Sequence, residues 1–228
     1  MIFIDSTHKT TQYDFQLITV LVLDDYREAV PVAWAISNKE DQETLTVFFD
    51  SVKAACGKDI ATDIFMSDLA QNFWCFTFSK PAKRLYCSWH VDQAWRRQIS
   101  MLIGSQDAQC TTYLYLKSLE TMTDEAEFRQ NLQQVLDYLN EVSQPFLNYF
   151  LETFVTGDKL CLWAGWSRIG SLANTNLYMF AEAFHRVLKD VYFGRRQNRR
   201  VDHLLHILLK LRQGQGSRGM DKRRERKN

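Results

Sequence analysis

Met1-Ile2-Phe3-Ile4-Asp5-Ser6-Thr7-His8 opens the chain. Four apolar residues run straight into an aspartate and then into small polar residues. A short continuous apolar run reads as a strand buried on both faces. A carboxylate at the C-terminal end of such a strand stands where open α/β sheets place their chemistry. A second strand-end aspartate follows at Asp68, and much later a helical glutamate at Glu182. Any one of the three alone reads as a solvated turn or cap residue. Together, each at the edge of an element, they point to a divalent-metal site.

The sequence around that first strand builds a sheet. Phe15–Leu23 is rich in β-branched and apolar residues and reads as a second buried strand. Ala29–Ser37 is a third, and its Pro31 favours the sheet edge. Short polar turns join the three as an antiparallel meander. From Asn38 to Cys56 the period changes: Leu45, Phe48, Phe49, Val52 and Ala55 recur at helical spacing, and Gly57 ends the helix. Asp63–Asp68 is a fourth strand, Leu69–Phe78 a short aromatic helix, and Arg84–His90 a fifth strand. The order β-β-β-α-β-α-β predicts an α/β protein with a mixed five-stranded sheet and helices against its faces.

The sheet pattern then stops. Val91 to about Thr156 reads as helical, with Thr123 expected to cap a helix carrying Phe128, Leu132, Val135, Leu136 and Leu139. Pro145 separates this from a helix carrying Phe146, Tyr149, Phe150 and Phe154. A last strong helix is expected over Tyr178–Tyr192. Its 100° spacing groups Phe180, Phe184, Val187, Leu188 and Val191 on a packing face, with Glu182, His185, Arg186 and Lys189 opposite. Four units are expected: 1–90, the first part of the core; 91–160, an all-helical insertion; 161–193, the end of the core with the glutamate-bearing helix; and 194–228, a basic segment with a disordered tail.

Composition narrows the class. With 46% hydrophobic and 13% aromatic residues, the 228-residue chain has ample material for a packed core. No run approaches the ~20 apolar residues of a membrane span, so no membrane partner is expected. There is no basic-then-apolar leader, and five widely spaced cysteines are expected as reduced thiols of an intracellular protein. Net charge is +1, yet Phe184–Asn228 holds fourteen Lys/Arg against four Asp/Glu. An acidic body with a basic end suggests a polyanion partner for that end, while a plain solubilising tail would look the same.

These motifs together resemble the catalytic domain of Mutator-like element (MULE) transposases, within the RNase H-like superfamily. The marks are Asp5-Ser-Thr-His8, Ser67-Asp68, Cys87-Ser-Trp-His90 followed by Val91 and Trp95, Asn174-Thr-Asn176, and Glu182-Ala-Phe-His-Arg-Val-Leu-Lys189. The resemblance implies an RNase H-like sheet in which the first and fourth strands are neighbours. It implies Asp5, Asp68 and Glu182 as catalytic residues and ligands of two Mg²⁺ or Mn²⁺ ions, with Asp5 shared between them. Two ions clamp the attacking and leaving oxygens of a phosphodiester. Strand cleavage and strand transfer in the nucleus follow, on transposon ends and target DNA, with a homo-oligomer compatible.

Around that triad, His8, Cys87, His90, His185, Arg186 and Lys189 are expected to shape the site or contact DNA. Arg195, Arg196, Arg199 and Arg200 are expected to neutralise phosphates. Zinc is not expected: Cys87 and His90 make half a ligand set, and Cys56, Cys75, Cys110 and Cys161 stand singly. Two departures from the family pattern stand out. Thr175 to Glu182 spans seven residues where the family has five, and the chain opens four residues before Asp5, without the family's usual zinc-binding recognition module. They raise a second expectation, a degenerate, truncated or host-recruited derivative that binds DNA or protein without catalysis. A hybrid-cutting nuclease of RNase H type would want a further carboxylate after the third strand; Glu40 and Glu43 stand there, at a helix start expected to be solvated.

Overall fold

The computed structural model describes residues 1–8, 10–23, 29–68, 82–168, 178–194 and 200–212, with backbone alone at 178–182. The expected helix Leu69–Phe78, the Asn174–Asn176 cluster and Arg195, Arg196 and Arg199 lie outside the described residues.

Five strands form one mixed sheet: β1 (Ile2–Thr7), β2 (Gln16–Leu23), β3 (Ala29–Ser37), β4 (Ile64–Ser67) and β5 (Lys83–Tyr86), in the order β3-β2-β1-β4-β5. β1 pairs antiparallel with β2 and parallel with β4, and β4 pairs parallel with β5. The first and fourth strands are therefore neighbours. β3 is an edge strand, as Pro31 requires, and the register slips at Val20/Leu21, opposite Pro31. This α/β arrangement is compatible with an RNase H-like fold.

β1 runs through Asp5 to Thr7, so Asp5 is a paired strand residue rather than the first residue beyond the strand. Both faces of β1 are buried, which explains its unbroken apolar run. On one face, Ile2, Ile4, Ile18, Val20 and Phe65 pack on Leu45 and Phe49 of α1 (Gln42–Cys56). Asp41 caps α1, accepting from the Thr44 N–H at 2.9 Å, and Gly57 closes it at φ 66°, a conformation that costs glycine little. On the other face lie Phe3, Leu21, Met66 and Leu85, with Phe184 of α7 (Tyr178–Val187) against them. Leu17 packs there with Leu188, Phe193 and the helix at 201–212 (α8).

A helical layer continues from the β5 edge: α2 (Ser88–Leu102), α3 (Gln106–Thr121), α4 (Glu125–Val142), α5 (Gln144–Phe150) and α6 (Leu160–Trp163). It has its own core around Trp95, Phe128, Phe154 and Trp163, whose rings meet edge to face. Two local expectations are corrected. Ser88, Trp89 and His90 are the first turn of α2, not the end of a strand; a short aromatic run is ambiguous, and the Val91–Trp95–Ile99 spacing carries the helix back to Ser88. Asp124, not Thr123, caps α4 by accepting from the Glu127 N–H at 2.8 Å.

Arg168 locks this layer to the sheet. Its guanidinium is 5% exposed; Nη2 donates to the Tyr86 carbonyl at 2.6 Å and Nε to the Trp163 carbonyl at 3.2 Å. Gly165 lets that turn come close: a Cβ there would stand 2.5 Å from the Glu120 carbonyl oxygen and 2.6 Å from that of Met122. Replacing Arg168 by Met leaves buried carbonyls unpaired. Urea denaturation should show a loss of about 2–4 kcal/mol, with Arg168→Lys recovering part of it.

Candidate active site

The site grows from the side of β1 that carries Phe3, Asp5 and Thr7, alternate residues of a pleated strand. Asp5 sits opposite Thr19 in the antiparallel β1–β2 pair. β1 and β4 run in parallel register as Ile2↔Phe65 and Phe3↔Met66. Extending that register two residues sets Asp68 beside Asp5, just past the end of β4. The backbone N–H of Cys87 then donates to the Ser67 carbonyl at 2.7 Å, which ties the end of β4 to the start of α2. That tie brings His90, on the first turn of α2, to the same end of the sheet.

Asp5 is 9% exposed and lies between two imidazoles. His185 Nδ1 is 3.2 Å from Asp5 Oδ2, and His90 Nε2 is 3.7 Å from Oδ1. The second His185 nitrogen, Nε2, is 3.0 Å from the hydroxyl of Thr19, itself fully buried. Farther along α7's π-helical extension, Leu188–Tyr192, Lys189 Nζ donates to Thr7 Oγ1. Asp5, Thr7, His90, His185 and Lys189 line a cavity of about 560 Å³, together with His8, Trp89 and Arg186. Asp68 lines an adjoining cavity of about 310 Å³ with Arg97 and Tyr149; His90 and Gln93 belong to both.

Phe184 and Leu188 pack on the sheet and Arg186 is exposed, as expected, but the two faces of the helix are not divided as the spacing predicts. His185 is buried at 6%, while Val187 and Val191 are 45% and 69% exposed. Hydropathy spacing assigns an imidazole to solvent, but both ring nitrogens have partners here, so burial carries little penalty. Beyond Leu188 the wider π-turn makes Phe193, five residues on, the next inward residue, and the 3.6-residue stripe no longer applies.

The other expected residues fall as follows. Glu182 lies on α7 one turn before His185, with its side chain outside the described residues. Cys87 precedes α2 at its N-cap position and does not line either cavity; burial pushes its thiol up to about 11. Arg200 is exposed and pairs with Asp202 at 3.0 Å, away from both cavities. Three groups were missed. Thr19 looked like one more β-branched strand residue, and Arg168 lay in a stretch with no periodic pattern. Glu40 was read as solvated, yet it is half-buried. Burial, then Asp68 and Asp5, raise its carboxyl above the usual range, against a lowering bond from Ser6. For Thr19, the signal in the sequence was a lone hydroxyl at the position the meander sets across from Asp5.

Residues 1–94 match the family model of the MULE transposase domain. The resemblance carried by the motifs thus holds over these residues. The matched stretch spans the whole sheet and the first half of α2, with Asp5, Asp68, Cys87 and His90 inside it. Helix α7, which brings His185 to Asp5, lies beyond the match. A transposase domain implies an interaction with DNA. No curated protein matches the chain. No helix among the described residues is long and apolar enough to cross a membrane.

Two measurements follow from the electrostatics around the site. A thiol raised from 9.0 to about 11 carries roughly 100-fold less thiolate near neutral pH. Mass spectrometry of alkylation at pH 8 should find exposed Cys56, Cys110 and Cys161 modified first, with Cys87 about 100-fold slower. Glu40, with its folded value above the ordinary 4.5, holds its proton to higher pH in the folded chain than in the unfolded one. Stability therefore falls as pH climbs from the ordinary 4.5 through the raised folded value, and the loss is complete above it. In metal-free buffer, Glu40→Gln should raise the thermal midpoint at pH 7, and the gain should vanish near pH 4.

Proposed function

We propose that the chain is the catalytic domain of a MULE-type transposase on an RNase H-like sheet, cutting and rejoining DNA strands with two divalent ions. One observation carries the reading: β1, which holds Asp5, and β4, which Asp68 directly follows, are adjacent parallel strands, with α7 crossing beside Asp5.

The donor set suits Mg²⁺ or Mn²⁺. Its atoms are carboxylate oxygens, the ligands hard cations prefer. Asp5 Oδ1 has His90 at 3.7 Å, beyond hydrogen-bond length, and so keeps lone pairs to offer. Asp5 and Asp68 would hold the ions, with Glu182 joining from α7. When bound, the ions would activate the attacking oxygen and stabilise the leaving one. The chain's own part is positional. His185 holds Asp5, and Lys189 and Arg186 offer cations to DNA phosphates without reading sequence. Arg195, Arg196, Arg199 and Arg200 would neutralise further DNA phosphates. The proposed substrates are transposon ends and target DNA in the nucleus.

The test is Mn²⁺-dependent nicking of supercoiled DNA. Asp5→Asn, Asp68→Asn and Glu182→Gln should each slow it by about 100-fold or more, with folding intact by circular dichroism. Equal rates in wild type and Asp68→Asn would sink the catalytic reading. DNA binding without nicking would leave the non-catalytic derivative as the better account.

A further inference from the structure

We infer that His185, held by Thr19, is the positioning residue that fixes the carboxylate of Asp5, engaging Oδ2 and leaving Oδ1 turned toward the cavity. The inference rests on the proposed metal site for its purpose, and on geometry alone for its substance.

A carboxylate only accepts hydrogen bonds, so the 3.2 Å contact between Asp5 Oδ2 and His185 Nδ1 needs the ring proton on Nδ1. In that tautomer Nε2 accepts, and at 3.0 Å the Thr19 hydroxyl donates to it. The chain of bonds is thus Thr19 O–H to Nε2, then Nδ1–H to Oδ2. Both ends are set by the sheet, because Thr19 and Asp5 are a directly opposed pair across β1 and β2. The helix is set as well: one turn beyond His185, Lys189 donates to Thr7, two residues along the same strand face. With His185 at 6% exposure and Thr19 at 0%, water does not compete for these bonds. Asp5 is held in one rotamer, and Oδ1 faces His90, which lines both cavities. A ligand carboxylate held in this way loses little freedom on taking up an ion, which is how outer-shell partners raise metal affinity.

The experiment has two arms. The first needs no metal: ¹⁵N shifts of the His185 ring in the labelled full chain. The expected result is the Nδ1–H tautomer, changed in Asp5→Leu; an Nε2–H ring in wild type overturns the inference. The second arm titrates Mn²⁺ by calorimetry. His185→Leu should weaken binding about 10- to 100-fold while leaving the Kd for DNA unchanged. His185→Asn, whose amide N–H sits near the position of Nδ1, should recover most of the loss, and His185→Gln, whose amide mimics Nε2, should not. Thr19→Val, isosteric in the core, should give a few-fold loss and serves if the Leu variant fails to fold. Weaker DNA binding with unchanged Mn²⁺ affinity would make His185 a DNA contact and overturn its positioning role. Absence of Asp5-dependent Mn²⁺ binding in wild type would instead remove the proposed function, and the tautomer would still decide the fate of the His185 bond.

Discussion

Everything near the site depends on β1 being paired on both sides. Its antiparallel partner β2 sets Thr19 opposite Asp5, and its parallel partner β4 brings Asp68 alongside. A strand with two partners and two packed faces has no freedom to slip. A one-residue shift would send Ile2 and Ile4 to the face of Asp5 and push the carboxylate into the apolar core under α1. The hydrophobic pattern of β1 therefore positions the carboxylate as firmly as any bond the carboxylate makes itself.

That placement has an electrostatic cost. Asp5, Asp68 and Glu40 interact within one end of the sheet, and repulsion from the two aspartates adds to burial in raising the Glu40 carboxyl. Imidazoles at 3.2 and 3.7 Å offset part of the Asp5 burden, and a buried carboxylate without such partners would be several kcal/mol less favourable. A divalent ion would offset the rest. The same feature that makes the metal-free site electrostatically unfavourable is what would make it bind a cation.

The sheet was legible because its signals are local and redundant. The apolar run of Met1–Ile4, the β-branched run of Phe15–Leu23, Pro31 at an edge and Gly57 as a helix stop each rest on a short-range preference. Asp5 and Asp68 were legible because a carboxylate after a buried run is conspicuous. The boundaries at Ser88 and Asp124 were less so, since a few aromatic or polar residues suit two states equally. His185 was placed on the wrong face because periodicity scores a side chain by its hydropathy alone. Whether an imidazole is buried depends on partners at Thr19 and Asp5, more than 160 residues away, and no window of sequence holds all three. Glu40 failed for the same reason in reverse: its surroundings come from β1 and the end of β4, not from its own helix.

Two hydrogen bonds are among the ties between the helical layer and the sheet end that carries the site. One is the Cys87 N–H to the Ser67 carbonyl, and the other is Arg168 gripping the Tyr86 carbonyl. Both act at the junction of β5 and α2, within four residues of His90. α2 begins there and runs into the aromatic core at Val91 and Trp95. His90 and Gln93 line both cavities, so the helical layer supplies part of the lining on the Asp5 side and on the Asp68 side. The layout separates two tasks. The sheet and α7 hold the carboxylate, and the helical layer lines the cavities beside it.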